Sequence, residues 1–113
     1  MNAEGLVGEK QVWGKPSNWC DYSGAIGDEK VGVTMFSDPR NSGHPARFHV
    51  RGTGLLAVNP FGLSAFTDDP SQSGAETVEP GNALHFRYRV IVHAGDAKSI
   101  DIPALFAKFA AEK

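Results

Sequence analysis

Cysteine is nearly absent: Cys20 stands alone among 113 residues. An intramolecular disulfide and a cysteine-rich metal site are therefore excluded. An excess of one charge is also missing, with 11 Lys and Arg against 13 Asp and Glu. A chain without a basic footprint is not expected to bind nucleic acid. Apolar runs stop at about five residues, far short of the ~18 that a spanning helix needs, so no membrane partner is expected. The opening Met1-Asn2-Ala3-Glu4-Gly5 lacks the charged and apolar regions of a secretory signal. A mature exported protein would look the same after losing its signal.

What is present points to β structure. The chain has 13 Gly and 7 Pro, with 41% apolar and 21% charged residues. Gly and Pro at that density suit many tight turns between short strands, and the length suits one domain over residues 1–113. Short apolar alternations recur between turn clusters. Val31–Phe36, Arg47–Arg51 and Gly54–Val58 read as strands, separated by Asp38-Pro39-Arg40-Asn41-Ser42-Gly43 and followed by Asn59-Pro60-Phe61-Gly62. The longest period-two pattern runs from Ala83 to His93. It places Leu84, Phe86, Tyr88, Val90 and Val92 on one face, expected to be core, with His85, Arg87, Arg89, Ile91 and His93 on the other. Asp101 as N-cap, Pro103 in the first turn and the stripe Leu105, Phe106, Phe109 predict one short C-terminal helix. The fold class is all-β: six to eight strands in a compact jelly roll, closed by that helix.

Four histidines are the feature that asks for chemistry. His44 and His49 would sit ~16 Å apart on opposite faces of a regular strand, but Gly43 and Pro45 allow a turn that brings them together. His85 and His93 are roughly 26 Å apart on one strand, so only one can join a site with His44 and His49. A position at the strand end, where the mouths of barrels hold cofactors, favours His93. Three imidazoles without thiolates suit Cu, Zn, Ni or Fe and leave coordination positions open. The alternative is four unrelated histidines with hydrogen-bonding roles. Neither H-E-x-x-H nor C-x-x-C is present. The carboxylate neighbours Asp28/Glu29, Asp68/Asp69 and Glu76/Glu79 fall on loops, and read as solvated turn residues rather than a glycosidase pair. Arg47 and Arg51 share strand parity with His49. With Trp13, Trp19, Tyr22, Phe48 and Phe61 they are candidates for holding a sugar ring.

The string also resembles a known family. Trp19-Cys20-Asp21-Tyr22-Ser23-Gly24, Val31-Gly32-Val33, Asp38-Pro39-x-Asn41, His44-Pro45-x-x-Phe48-His49-Val50-Arg51, Asn59-Pro60-Phe61-Gly62 and Arg87-Tyr88-Arg89 with His93 beyond it carry the likeness. Together they resemble the C-terminal half of the methane oxygenase PmoA-like family, from about residue 12 onward. Members usually have Trp where Phe48 stands, and longer members carry an N-terminal β region. A short chain of this type is similar to small copper-dependent enzymes that cleave cellulose oxidatively from a cupin-like jelly roll. The resemblance implies one copper per chain on His44, His49 and His93, with His85 outside the site. It further implies a reductant with O2 or H2O2 as co-substrates, and C1 oxidation of cellulose or a related β-glucan to aldonic-acid products. Arg47, Arg51, Phe48 and Phe61 would hold the sugar chain, in a secreted homodimer. The usual cupin pattern, His-x-His followed by a Glu ligand, is absent. The competing expectation is a non-catalytic carbohydrate-binding β-sandwich module.

Overall fold

The computed structural model describes residues 1–113. It contains α1 (Glu9–Val12), β1 (Pro16–Ser17), β2 (Trp19–Ile26), β3 (Glu29–Ser37), β4 (Ala46–Arg51), β5 (Leu55–Val58), α2 (Leu63–Thr67), β6 (Tyr88–Ala94) and α3 (Ile102–Ala111). The strands form two antiparallel sheets of three, in the orders β2-β3-β6 and β1-β4-β5. No helix is long and apolar enough to cross a membrane. The tightest connection joins Ile26 to Glu29, where Gly27 takes a φ of 62°. Two-residue hairpin turns of the primed types require that left-handed conformation, which Gly supplies at no steric cost. At the other end of the chain, the Asp101 carboxylate accepts a hydrogen bond from the Ala104 N–H at 3.0 Å, so α3 starts at the expected cap.

Strand alternation sends the β2-β3-β6 sheet's side chains into two separate cores. Cys20, Tyr22 and Met35 point toward the second sheet and meet Val12, Ala46, Phe48 and Val50. Trp19, Phe36 and Ile91 point the opposite way and pack under α3 against Ile102, Phe106 and Phe109. The order of layers is therefore α3, sheet β2-β3-β6, sheet β1-β4-β5. Burial in the inner layer pushes the Cys20 thiol up to about 11, so it packs as a small apolar group.

Two expectations for the last strand are corrected. It runs from Tyr88 to Ala94 and not from Ala83, because the ladder ends where its partner ends, at the Ser37–Tyr88 pair. Beyond it the Asn41 side chain takes over the Arg87 backbone, accepting from its N–H and donating to its carbonyl, both at 2.8 Å. The expected core face is also inverted. Tyr88, Val90 and Val92 are 36%, 54% and 78% exposed, while Ile91 is under the helix. The second sheet covers β2 and β3, and β6 projects past it as an edge strand. The chain is accordingly flat, 50 × 35 × 22 Å, with a radius of gyration of 15.0 Å. A closely packed domain of this length would show about 13 Å.

Charged residues survive beneath α3 because each finds a partner. Asp38, almost wholly buried, pairs with Arg40 at 2.6 Å and Arg87 at 2.7 Å. Glu112, just past α3, receives Arg87 at 2.5 Å and Arg89 at 2.7 Å. The Arg87 and Arg89 guanidinium groups both lie over the Phe109 ring, at 4.5 and 5.0 Å. Hydrogen bonds from Arg40 outweigh burial and hold the Asp38 carboxyl well below the usual carboxylate range. In urea unfolding, Phe36→Ala is expected to remove ~3–5 kcal/mol, the range for truncating a buried Phe. Val92→Ala should stay within about 0.5 kcal/mol, as exposed positions do. Comparable losses at both positions would contradict the layer order.

Candidate functional site

On β4 the side chains of Ala46, Phe48 and Val50 enter the core between the sheets, leaving Arg47, His49 and Arg51 on the outer face. Phe48 is 0% exposed, so the expected contact between its ring and a sugar is not available: strand parity places it opposite His49. The outer face is roofed by aromatic rings. His49 lies 6.1 Å from Trp13 and 6.0 Å from Phe66, all edge-on, and Trp13 and Phe66 are 5.1 Å apart. A side chain at position 14 would meet the Phe66 ring at 2.9 Å, so Gly14 lets α2 close over this corner. Arg51 sits 5.4 Å from the Trp13 ring. Arg47 donates to the Gly14 carbonyl at 2.8 Å and reaches a small cleft beside it.

That cleft, about 160 Å³, is bounded by Arg47, Asn59, Leu63, Ser73, Gly74 and Glu76. It is smaller than the ~300–1,000 Å³ typical of drug-sized ligands, and matches one compact polar unit. Glu76 accepts from the Ser42 hydroxyl at 2.7 Å, which fixes the carboxylate at the rim. The Asn59 side-chain Oδ1 accepts the Phe61 N–H at 2.9 Å and sets the Asn59-Pro60-Phe61-Gly62 turn, leaving the side-chain NH2 as donor. The turn presents Phe61, half exposed. Phe61 meets Phe86 edge-on at 5.9 Å, and Phe86 stacks on Tyr88 at 6.0 Å with planes 12° apart. Phe61, Phe86 and Tyr88 thus form a surface strip of three rings, one end of it at the cleft. Phe61 is the member of the strip that the sequence already suggests as a contact. Phe86 and Tyr88 carry a core signature in the sequence, and only the offset of the two sheets reveals them.

His93 lies on the helix-covered face of sheet β2-β3-β6, with its side chain 6% exposed. The Asp21 carboxylate, 3% exposed, accepts from the Thr34 hydroxyl at 2.5 Å, from the Ser23 hydroxyl, and from His93 Nε2 at 2.5 Å. His93 Nδ1 faces the Ala94 carbonyl at 3.1 Å. A Cβ at position 32 would lie 2.6 Å from His93 Nε2 and 2.7 Å from the Ser23 hydroxyl, so the imidazole is laid on Gly32. His44 has a buried Nδ1 without a hydrogen-bond partner. His85 lines a separate cleft with Asp38, Arg40 and Arg87. The expected site residues therefore divide. Arg47, His49 and Arg51 share the outer face of β4, with Phe61 on the turn next to the cleft, whereas His93 lies under the opposite layer. No three His, Cys, Asp or Glu side chains cluster as a metal-holding group. His44, His49 and His93 do not fit a single copper ion in one copy of this fold.

Two antiparallel sheets, one backed by a helix and the other bearing a small polar cleft, with an aromatic strip running from the β5–α2 turn to β6, make up the fold. The chain belongs to the family described as Family of unknown function (DUF6807), whose model matches residues 1–107. No curated protein and no solved structure matches it.

The His93 pocket generates a pH prediction. Burial opposes the imidazolium, but hydrogen bonds to Asp21 and the Ala94 carbonyl and the negative charges of Asp21 and Asp96 overcome it, raising the pKa. A folded value above the unfolded ~6.5 makes the charged ring stabilising below that pH. The contribution is then lost as pH rises through the folded value. Unfolding free energy should thus fall as pH climbs from about 6 past the folded pKa. His93→Gln should flatten that slope, and an unchanged slope in denaturant titrations would contradict the assignment.

Proposed function

We propose that this protein is a carbohydrate-binding β-sandwich module whose ligand lies on Phe61, Phe86 and Tyr88 with a hydroxyl-bearing edge in the Arg47–Asn59–Glu76 cleft. The observation that carries this reading is the aromatic strip. Large rings clustered at a surface, beside a polar cleft, favour a binding face over a leftover of packing. A pyranose ring has apolar C–H faces and a polar rim. Aromatic faces take the first, while a guanidinium, an amide and a carboxylate take the second. Arg47 makes its one hydrogen bond to Gly14 and no ion pair, so its remaining N–H groups are free to serve a ligand.

The ligand class that fits is a neutral β-glucan such as cellulose, presented outside the cell. That choice draws on the family likeness of the motifs; Phe86 and Tyr88, with planes 12° apart, offer parallel ring faces, and Phe61 stands edge-on beside them. Within the same reading the two sheets are a reduced cupin-like jelly roll, with six strands where the full form has eight. The motifs by themselves favour copper-dependent oxidation of the glucan. Two of the three candidate ligands, His49 and His93, lie on opposite faces of the sandwich, however, which favours the binding reading.

Calorimetry with cellohexaose and pull-down on insoluble cellulose test the proposal. Phe61→Ala and Tyr88→Ala should each weaken binding about tenfold, equivalent to ~1.4 kcal/mol. Val7→Ala, on an exposed residue that belongs to neither strip nor cleft, should change nothing. Binding that is absent in the wild type, or indifferent to both ring deletions, would refute the reading.

A further inference from the structure

We infer that His93 is a strut that ties β6 into its sheet, and that one copy of this chain cannot gather His44, His49 and His93 around a metal ion. The first half rests on the Asp21 cluster. Asp21 belongs to β2, Thr34 to β3 and His93 to β6, so one carboxylate joins all three strands through side chains alone. Backbone pairing places Asp21 opposite Thr34 and Ser23 opposite Gly32, while Gly32 also faces His93. A glycine at the centre of that register is what lets the ring reach across β3. Buried carboxylates are tolerated only when hydrogen-bonded, and removing one donor leaves the rest short.

The second half is a matter of layers. His49 lies on the outer face of β1-β4-β5, since its neighbour Phe48 is in the core between the sheets. His93 shares its face with Trp19, Phe36 and Ile91, which pack on α3 beyond the other sheet. Stacked sheets are ~10 Å apart. Histidine nitrogens bound to one ion lie within about 2.1 Å of it. Two imidazoles separated by both sheets cannot meet that condition, and His93 Nε2 is already held by Asp21.

Cu(II) titration of the intact chain, followed by electron paramagnetic resonance and calorimetry, tests this directly. His93→Gln should leave the Cu(II) dissociation constant within about twofold of wild type and the spectrum unchanged, while lowering Tm by ~4 °C or more. Gly32→Ala supplies an independent variant. It displaces the imidazole without deleting any nitrogen donor, and should lower Tm while leaving copper binding unaltered. A wild-type chain with no stoichiometric copper also fits the inference. A one-to-one complex with three ring nitrogens, losing one nitrogen and at least tenfold in affinity in folded His93→Gln protein, would overturn it.

Discussion

The Asp21 carboxylate is the point on which the arrangement of this molecule turns. Three donors from three positions, Ser23, Thr34 and His93, converge on it in a place almost closed to water. An unpartnered carboxylate there would cost several kcal/mol, so the strands must sit in the register that delivers those donors. That register fixes Gly32 under the imidazole, and it orients Ile91 and Arg89 of β6 toward α3. Once β6 faces that way, its valines face outward.

The offset between the sheets is what creates the exposed aromatic strip. The second sheet covers β2 and β3, and β6 with its approach segment extends beyond them. Tyr88 and Phe86 are thereby left at the surface, where Phe61 from the β5–α2 turn joins them. The other side of β6 is closed by charges that satisfy one another: Arg87 and Arg89 with Glu112, and Arg87 and Arg40 with Asp38. Arg87 and Arg89 each cover part of the Phe109 ring as well. Fold and site are consequently two results of one choice, namely which face of β6 the C-terminal helix covers.

Much of the fold is legible in the sequence. The turns at 38–43 and 59–62 and the Asp101 cap are local signals, and local chemistry decides them. The face of β6 is not legible. Alternation identifies two sets of residues, but the apolar set is core only if a layer exists to cover it. In this fold the partly charged set is covered, because Glu112 and Asp38 lie where Arg87 and Arg89 can reach them. The histidines mislead for a similar reason. Spacing limits how far apart residues are within a strand, and it says nothing about how many sheets stand between His49 and His93. Arg47 and Phe61 can be found because a polar turn beside a strand is readable from composition; Phe86 and Tyr88 are hidden in a pattern that mimics a core strand.

Protonation of the His93 ring, read by long-range proton–nitrogen NMR near pH 6, tests the central role of Asp21 most directly. With Nε2 against Asp21 and Nδ1 against the Ala94 carbonyl, both nitrogens should carry protons, and the Nε2 proton should be protected from exchange with water. Asp21→Asn should abolish that protection. A His93 with an unprotonated, freely exchanging Nε2 would show that the imidazole is available to other partners, and would contradict the role of Asp21 as the anchor of all three strands.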